Sequence, residues 1–236
     1  MPTTTPVFFF DIDNCLYEDS ATDMFKLMRE RIYSYAHKAG IHDDRQEVER
    51  LCQRYYLDYG LAVRGLLQHH DIDPVDYDKK VDGTLPLEEV LKEDPALRDM
   101  LLRCRIRRWA FTNAGLNHAQ RVLKILGVAD LFEGITYCDY SVPDFPCKPE
   151  ERAYAKAIRE AGITKETPCY LVDDSPKNID AAKALGWTAV HVNSTRDSMN
   201  DPRTHGHYQI SKVTDLPNVL PDLWELQGGS TPSSSD

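Results

Sequence analysis

The sequence has no CxxC pair, no long apolar run and no surplus of basic charge. Its six cysteines, at positions 15, 52, 104, 138, 147 and 169, stand far apart, which excludes both zinc-ligand spacing and a dense disulfide framework. Reduced thiols are expected. No stretch approaches the roughly 18 consecutive apolar residues of a membrane span, and the opening MPTTTP has neither the basic start nor the apolar centre of a signal peptide. A cytosolic or nuclear location is the expectation. With 38 acidic against 28 basic residues and a net charge of −10, the chain lacks the basic surface by which proteins bind nucleic acid or anionic membrane. Small ligands remain. What is present is 42% hydrophobic content in 236 residues, enough for one elaborated domain or a core with a smaller companion.

The most informative stretch is VFFFDIDNCLY at 7–17. Val7 to Phe10, preceded by Pro6, is too short for a helix and reads as a buried strand whose end presents Asp11, Asp13 and Asn14. Carboxyl ends of parallel strands are where open α/β sheets bind ligands, although an acidic turn after an edge strand would look the same. Cys15 stands close enough to Asp11 to raise the hypothesis of inhibition by oxidation; a small buried residue is the plainer reading.

From Ser20, which can cap a helix, the pattern is helical. Met24, Leu27, Met28 and Ile32 recur at helical spacing up to Gly40, and Asp43 or Asp44 can cap a second helix whose face carries Val48, Leu51, Cys52 and Tyr55 before Gly60. Shorter pieces follow over 61–69, 74–81, 86–91 and 95–103. Strands then alternate with helices: IRRWAFTNAG from Ile106, ITYC at 135–138, CYLVDDS at 169–175 and TAVHV at 188–192, with YQI near 208 as an edge strand. The fold class is therefore α/β, a mostly parallel sheet with helices on both faces. Residues 1–17 and 104–226 are expected to form the core, 18–103 a helical cap inserted above the end of strand one, and 227–236 a disordered tail.

In such a sheet Asp11 and Asp13, Thr112 and Asn113, Lys148, and Asp173 with Asp174 share one edge. Four converging carboxylates repel, and one lysine cannot balance them; a hard divalent cation such as Mg²⁺ can. A carboxylate beside it can attack a phosphoryl group, with Asp11 as nucleophile and Asp13 as acid and base. Lys148 and Thr112 would be fixed donors to the transferring group. Taken singly, each residue has a plainer reading: a solvated turn acid, a surface lysine, a strand-end hydroxyl. The order of the four motifs is what discriminates.

DIDN at 11–14, FTNA at 111–114, CKPE at 147–150 and VDDSPKNIDAAKALG at 172–186 resemble the four motifs of the haloacid dehalogenase-like hydrolases. Within them, FDIDNCLY, YYLDYGLAVRGL at 55–66 and ILGVADLFEGITYCD at 125–139 are similar to the fungal pyrimidine 5'-nucleotidases. The resemblance implies a Rossmann-like core with a C1-type cap and a Mg²⁺-dependent phosphomonoesterase. Asp11 would be nucleophile and metal ligand, Asp13 acid/base and a ligand through its main-chain carbonyl, and Asp174 the principal metal carboxylate with Asp173 as partner. Thr112 would hold the phosphate and Lys148 would orient the nucleophile. Cys15 and Asn178 depart from the commonest family residues. Tyr17, Tyr56, Arg64 and Asn113 are candidate substrate contacts, and Tyr55, Tyr59, His69 and His70 are further cap residues to weigh.

The implied substrates are pyrimidine nucleoside monophosphates, with lysophosphatidate, sugar phosphates and purine nucleotides as alternatives. Asp13 disfavours a true dehalogenase, which needs no acid at that position. A phosphomutase uses the same residues, whereas the chain's length and motif order disfavour a phospho-accepting signalling module. The intact reacting set disfavours a purely binding protein.

Overall fold

The computed structural model describes residues 5–18, 23–193 and 205–225. Strand β1 (Val7–Phe10) is buried throughout, and its side chains divide between the two sheet faces as strand periodicity requires. Phe8 and Phe10 pack with Ala110, Val172 and Val190; Val7 and Phe9 join Trp109, Phe111, Leu171 and Ala189 on the other face. Burying each phenylalanine contributes about 1.5–3 kcal/mol, so β1 is a main determinant of the core.

A strand apolar on both faces belongs inside a covered parallel sheet. Its companions are β2 (Arg107–Phe111), β3 (Ile135–Thr136), β4 (Cys169–Asp173), β5 (Thr188–Val192) and β6 (Tyr208–Ile210). The order is β3-β2-β1-β4-β5-β6, and every pairing between these strands is parallel. YQI is the edge strand expected. ITYC shortens to Ile135–Thr136 because Cys138 leaves the sheet, its N–H bonded to Ala114 O and its side chain packed among helices of the insertion. The order reverses about β1, which opens a crevice at that strand's carboxyl end.

Between β1 and β2 the chain is helical: α1 (Met24–Lys38), α2 (Arg45–Tyr59), α3 (Ala62–His69), α4 (Pro74–Lys80), α5 (Leu87–Val90) and α6 (Pro95–Leu102). Asp44, Asp73 and Asp94 cap α2, α4 and α6 through side-chain acceptors for backbone N–H groups. Ser20, expected to cap the first helix, and the tail 227–236 lie outside the described residues. Gly60 ends α2 at φ 79°, and it brings the insertion against Cys147 Sγ and Lys148 O. At Gly65 a Cβ would run into the Tyr55 ring, so α2 and α3 pack closely only because that residue has no side chain.

The packing divides the insertion differently from the sequence expectation of one cap over 18–103. Tyr33, Val48, Tyr55, Val63, Leu66, Tyr77 and Val81 form a cluster of their own with Cys138, Phe145 and Cys147. Leu87, Leu91, Leu97 and Met100, however, are buried with Phe8 and Phe10. Helices as short as α5 and α6 cannot bury their leucines against each other, and the sheet offers the larger apolar surface. On that face they join α7 (Leu116–Ile125); α8 (Glu151–Glu160) and α9 (Pro176–Ala184) cover the opposite one through Tyr154, Ala157 and Ile179. No helix among the described residues is long and apolar enough to cross a membrane.

Candidate active site

The ladder carries β1 one residue past its end, Asp11 N bonding Val172 O at 3.0 Å, so the Asp11 side chain emerges beside the end of β4. There Asp11, Asp173 and Asp174 bring carboxylate oxygens within 4.8 Å of one another. Lys148, 1% exposed, reaches into them: its Nζ donates to Asp11 Oδ1 at 2.8 Å, Asp173 Oδ2 at 2.6 Å and Phe111 O at 2.6 Å. Burial pushes its ammonium down, but Asp11 and Asp173 more than compensate, so it stays charged. Asp11 is raised well above the carboxylate range, first by burial and then by Asp173 and Asp174, against the opposing pull of Lys148. One lysine does not balance three carboxylates, of which two are buried and the third half-buried.

Their remaining capacity differs. Asp173 accepts from Lys148, from Asn178 Nδ2 at 2.9 and 3.2 Å and from Ser175 N at 2.9 Å. Asp174 takes one side-chain bond, from Asn14 Nδ2 at 2.6 Å, with Asn14 held at φ 55°. Burial, followed by repulsion from Asp173, raises Asp174 to about 7. An all-oxygen set with uncompensated negative charge fits a hard divalent cation, and Asp11 and Asp174 keep more open lone pairs than Asp173. An aspartate at Asn178 would turn its two donated bonds to Asp173 into repulsion, so the asparagine there holds the site together.

Asp13, two residues on, faces different partners. Its Oδ1 accepts from Tyr17 Oη at 2.6 Å and pairs with His118 Nε2 at 2.7 Å. Burial would raise Asp13, but the charge and hydrogen bond of His118 and the tyrosine hydroxyl outweigh it and leave it lowered. Burial lowers His118 less than Asp13 and Asp82 raise it.

Asp82, 4% exposed and bonded by Tyr140 Oη at 3.1 Å, is raised to about 6, chiefly by burial and further by Asp78, with His118 and Tyr140 opposing. Its unfolded value is near ~3.9, so the folded protein binds the extra proton between about pH 4 and pH 6 and loses stability as pH rises through that window. Asp82→Asn keeps an acceptor for Tyr140. It is expected to stabilise the protein at pH 7 by about 2–3 kcal/mol and to do little at pH 4, as read by urea unfolding at both values.

Residues 5–186 match the family described as haloacid dehalogenase-like hydrolase. The chain belongs to that family. A curated relative, phosphate metabolism protein 8 of Saccharomyces cerevisiae, is 39% identical over 191 residues, which cover 76% of this chain and 59% of the relative's length. Among solved structures, CbbY from Rhodobacter sphaeroides in complex with phosphate has a TM-score of 0.59 at 18% identity, covering 90% of this chain and 96% of that one. L-2-haloacid dehalogenase from Xanthobacter autotrophicus has a TM-score of 0.55 at 16% identity, covering 91% and 98%. At those identities the likeness is one of fold.

In this family member three expected substrate contacts are engaged otherwise. Asn113 donates from Nδ2 to Lys148 O at 2.9 Å and accepts the Lys148 N–H on Oδ1 at 2.8 Å, so it clamps the lysine's backbone. Tyr17 serves Asp13. Arg64 bonds Glu150, Asp144 Oδ1 at 2.9 Å and Tyr59 O at 3.2 Å, clasping the insertion to the segment that bears Lys148. Their long or forked polar groups found protein partners that no local pattern announces.

Tyr56 is 58% exposed, and partial burial together with the field of Asp174 and Asp173 raises its hydroxyl. Tyr55 and Tyr59 pair instead with His70 at 3.0 Å and His69 at 2.6 Å. Thr112 Oγ1 accepts from Ala114 N at 2.9 Å, which confirms the strand-end bond and leaves its proton to donate. Cys15, 4% exposed, is pushed well up by burial and then by the carboxylates, so it is no ready thiolate for oxidation. His118 escaped the sequence reading. Its only signal was a polar residue next to Ala119 on the apolar face of α7.

Proposed function

We propose that this hydrolase is a Mg²⁺-dependent phosphomonoesterase acting through an aspartyl-phosphate, with pyrimidine nucleoside monophosphates as preferred substrates. The observation that carries the reading is the buried Lys148 ammonium shared by Asp11 and Asp173, with Asp174 beside them and a second acid at Asp13. Lys148 aims and restrains the Asp11 carboxylate. The Asp11 oxygen attacks phosphorus in line as the bond to the leaving oxygen breaks, and Asp13 protonates that oxygen. Water then attacks the aspartyl-phosphate, gives its proton to Asp13 and frees Asp11 and phosphate. Asp13 holds its charge in the resting site; a bound phosphate dianion raises its proton affinity through like-charge repulsion.

Mg²⁺ would be held by Asp11 and Asp174, with Asp173 and the Asp13 main-chain carbonyl adjoining, and when bound it neutralises charge on the transferring group. The Thr112 hydroxyl donates to the phosphoryl oxygens. Tyr56, exposed and within the field of Asp174 and Asp173, offers a ring for a base to stack on. The pyrimidine preference rests on the motif likeness, and the name of the yeast relative accords with phosphate chemistry.

Phosphate release from UMP, CMP, AMP, GMP, sugar phosphates and a lysophosphatidate, with Mg²⁺ and with EDTA, tests the reading. UMP and CMP are expected to lead and EDTA to abolish turnover. Metal-dependent release led by another ester would keep the chemistry and remove the pyrimidine assignment; transfer of phosphate to a sugar instead of water would make the protein a mutase.

A further inference from the structure

His118 has no part in the chemistry above, yet it is 1% exposed and polar in an apolar helix face. A buried imidazole there loses hydration, and among the described residues its Nδ1 finds no partner. The group it does meet is Asp13 Oδ1, at 2.7 Å. An ionised carboxylate oxygen can only accept, so the Nε2 of His118 carries a proton whether the ring is neutral or charged. The Tyr17 hydroxyl reaches the same oxygen at 2.6 Å, from four residues along the same loop. Two donors therefore converge on Oδ1 and fill its lone pairs, whereas no described residue hydrogen-bonds Oδ2.

We propose that His118 and Tyr17 are positioning residues that direct the acid–base proton of Asp13 to Oδ2 and hold that oxygen toward the leaving group. This rests on the phosphomonoesterase reading and adds to it which carboxylate oxygen works and what aims it. A carboxyl with a free rotor would spend much of its time with the proton on either oxygen, and a misdirected proton is lost to the step that breaks the ester bond. The Asp13 pair thus has a role parallel to the clamp of Asn113 on Lys148: neighbouring donors set one reacting group in one orientation. Asp82, held by Tyr140, approaches His118 from the insertion and adds its field to that of Asp13.

The test separates positioning from general damage by the need of the leaving group for a proton. kcat/KM ends at the first irreversible step, loss of the leaving group, so it reads Asp13 as an acid. A nucleoside leaves as a poor alkoxide and needs that proton; 4-nitrophenolate does not. For Tyr17→Phe and His118→Leu, kcat/KM for UMP is expected to fall about tenfold further than kcat/KM for 4-nitrophenyl phosphate, within the ~100- to 10,000-fold reach of general acid catalysis. His118→Gln retains an N–H donor and is expected to recover part of the difference. Tyr17→Phe removes one oxygen from a half-buried ring, so it reports even where His118→Leu does not fold.

Equal falls for both esters in Tyr17→Phe, or no fall in either, would overturn the proposal. The underlying mechanism has its own control: Asp13→Asn must show the same leaving-group discrimination, and larger. If it depresses both esters alike, Asp13 is not the acid and both readings fail; if it discriminates and Tyr17→Phe does not, only the positioning role fails.

Discussion

Asp11→Asn is expected to lose at least about a thousandfold in Mg²⁺-dependent phosphate release while melting no lower than the parent protein without metal. The asparagine keeps the shape of the side chain and an acceptor for Lys148, but an amide oxygen is too weak a nucleophile to form the acyl-phosphate. The thermal arm has the opposite sign to most buried substitutions. Asp11 is raised by burial and by Asp173 and Asp174, so its charge is a strain on the metal-free fold, and neutralising it relieves repulsion. Phosphate release and thermal melting on one preparation check both arms. A mutant that retains a tenth of the activity would remove Asp11 from the nucleophile's role.

Lys148→Met should have the largest effect on stability. The side chain is similar in length and apolar, but Asp11 and Asp173 lose the ammonium bonded at 2.8 and 2.6 Å, and Phe111 O loses its donor. Breaking a buried pair by removing one partner costs about 3–5 kcal/mol, because the other charge stays buried. In a chain of this size that lowers Tm by about 6–20 °C. Mg²⁺ should restore part of the loss and EDTA none. An unchanged Tm would mean that the carboxylates discharge themselves by taking up protons, and the lysine's role would then be confined to the reaction.

The proposed reacting set was legible because each member ends a recognisable strand or starts a helix, and parallel topology brings such ends to one edge whatever lies between. VFFF read as a buried strand, since both faces of it are apolar, and the order of the Asp, Thr, Lys and double-Asp motifs marked the family that residues 5–186 match. The helical insertion followed from periodicity and breakers, and of the two caps offered for the second helix Asp44 is the one that acts.

Contacts between elements distant in sequence were decided only by the tertiary structure. His118 meets Asp13 across 105 positions and Arg64 meets Glu150 across 86, and neither pair has a local pattern to betray it. Asn113 and Tyr17 were identified as polar residues at the site, but a hydrogen-bonding group does not declare whether its partner is substrate or protein. The boundary of the insertion was hidden for a related reason: the leucines of α5 and α6 have the same spacing whether they face a cap or a sheet. Sequence by itself determined which groups can react, because chemical identity and strand ends are local properties. Which of them are held, aimed or left open depends on long-range packing, which only the folded chain supplies.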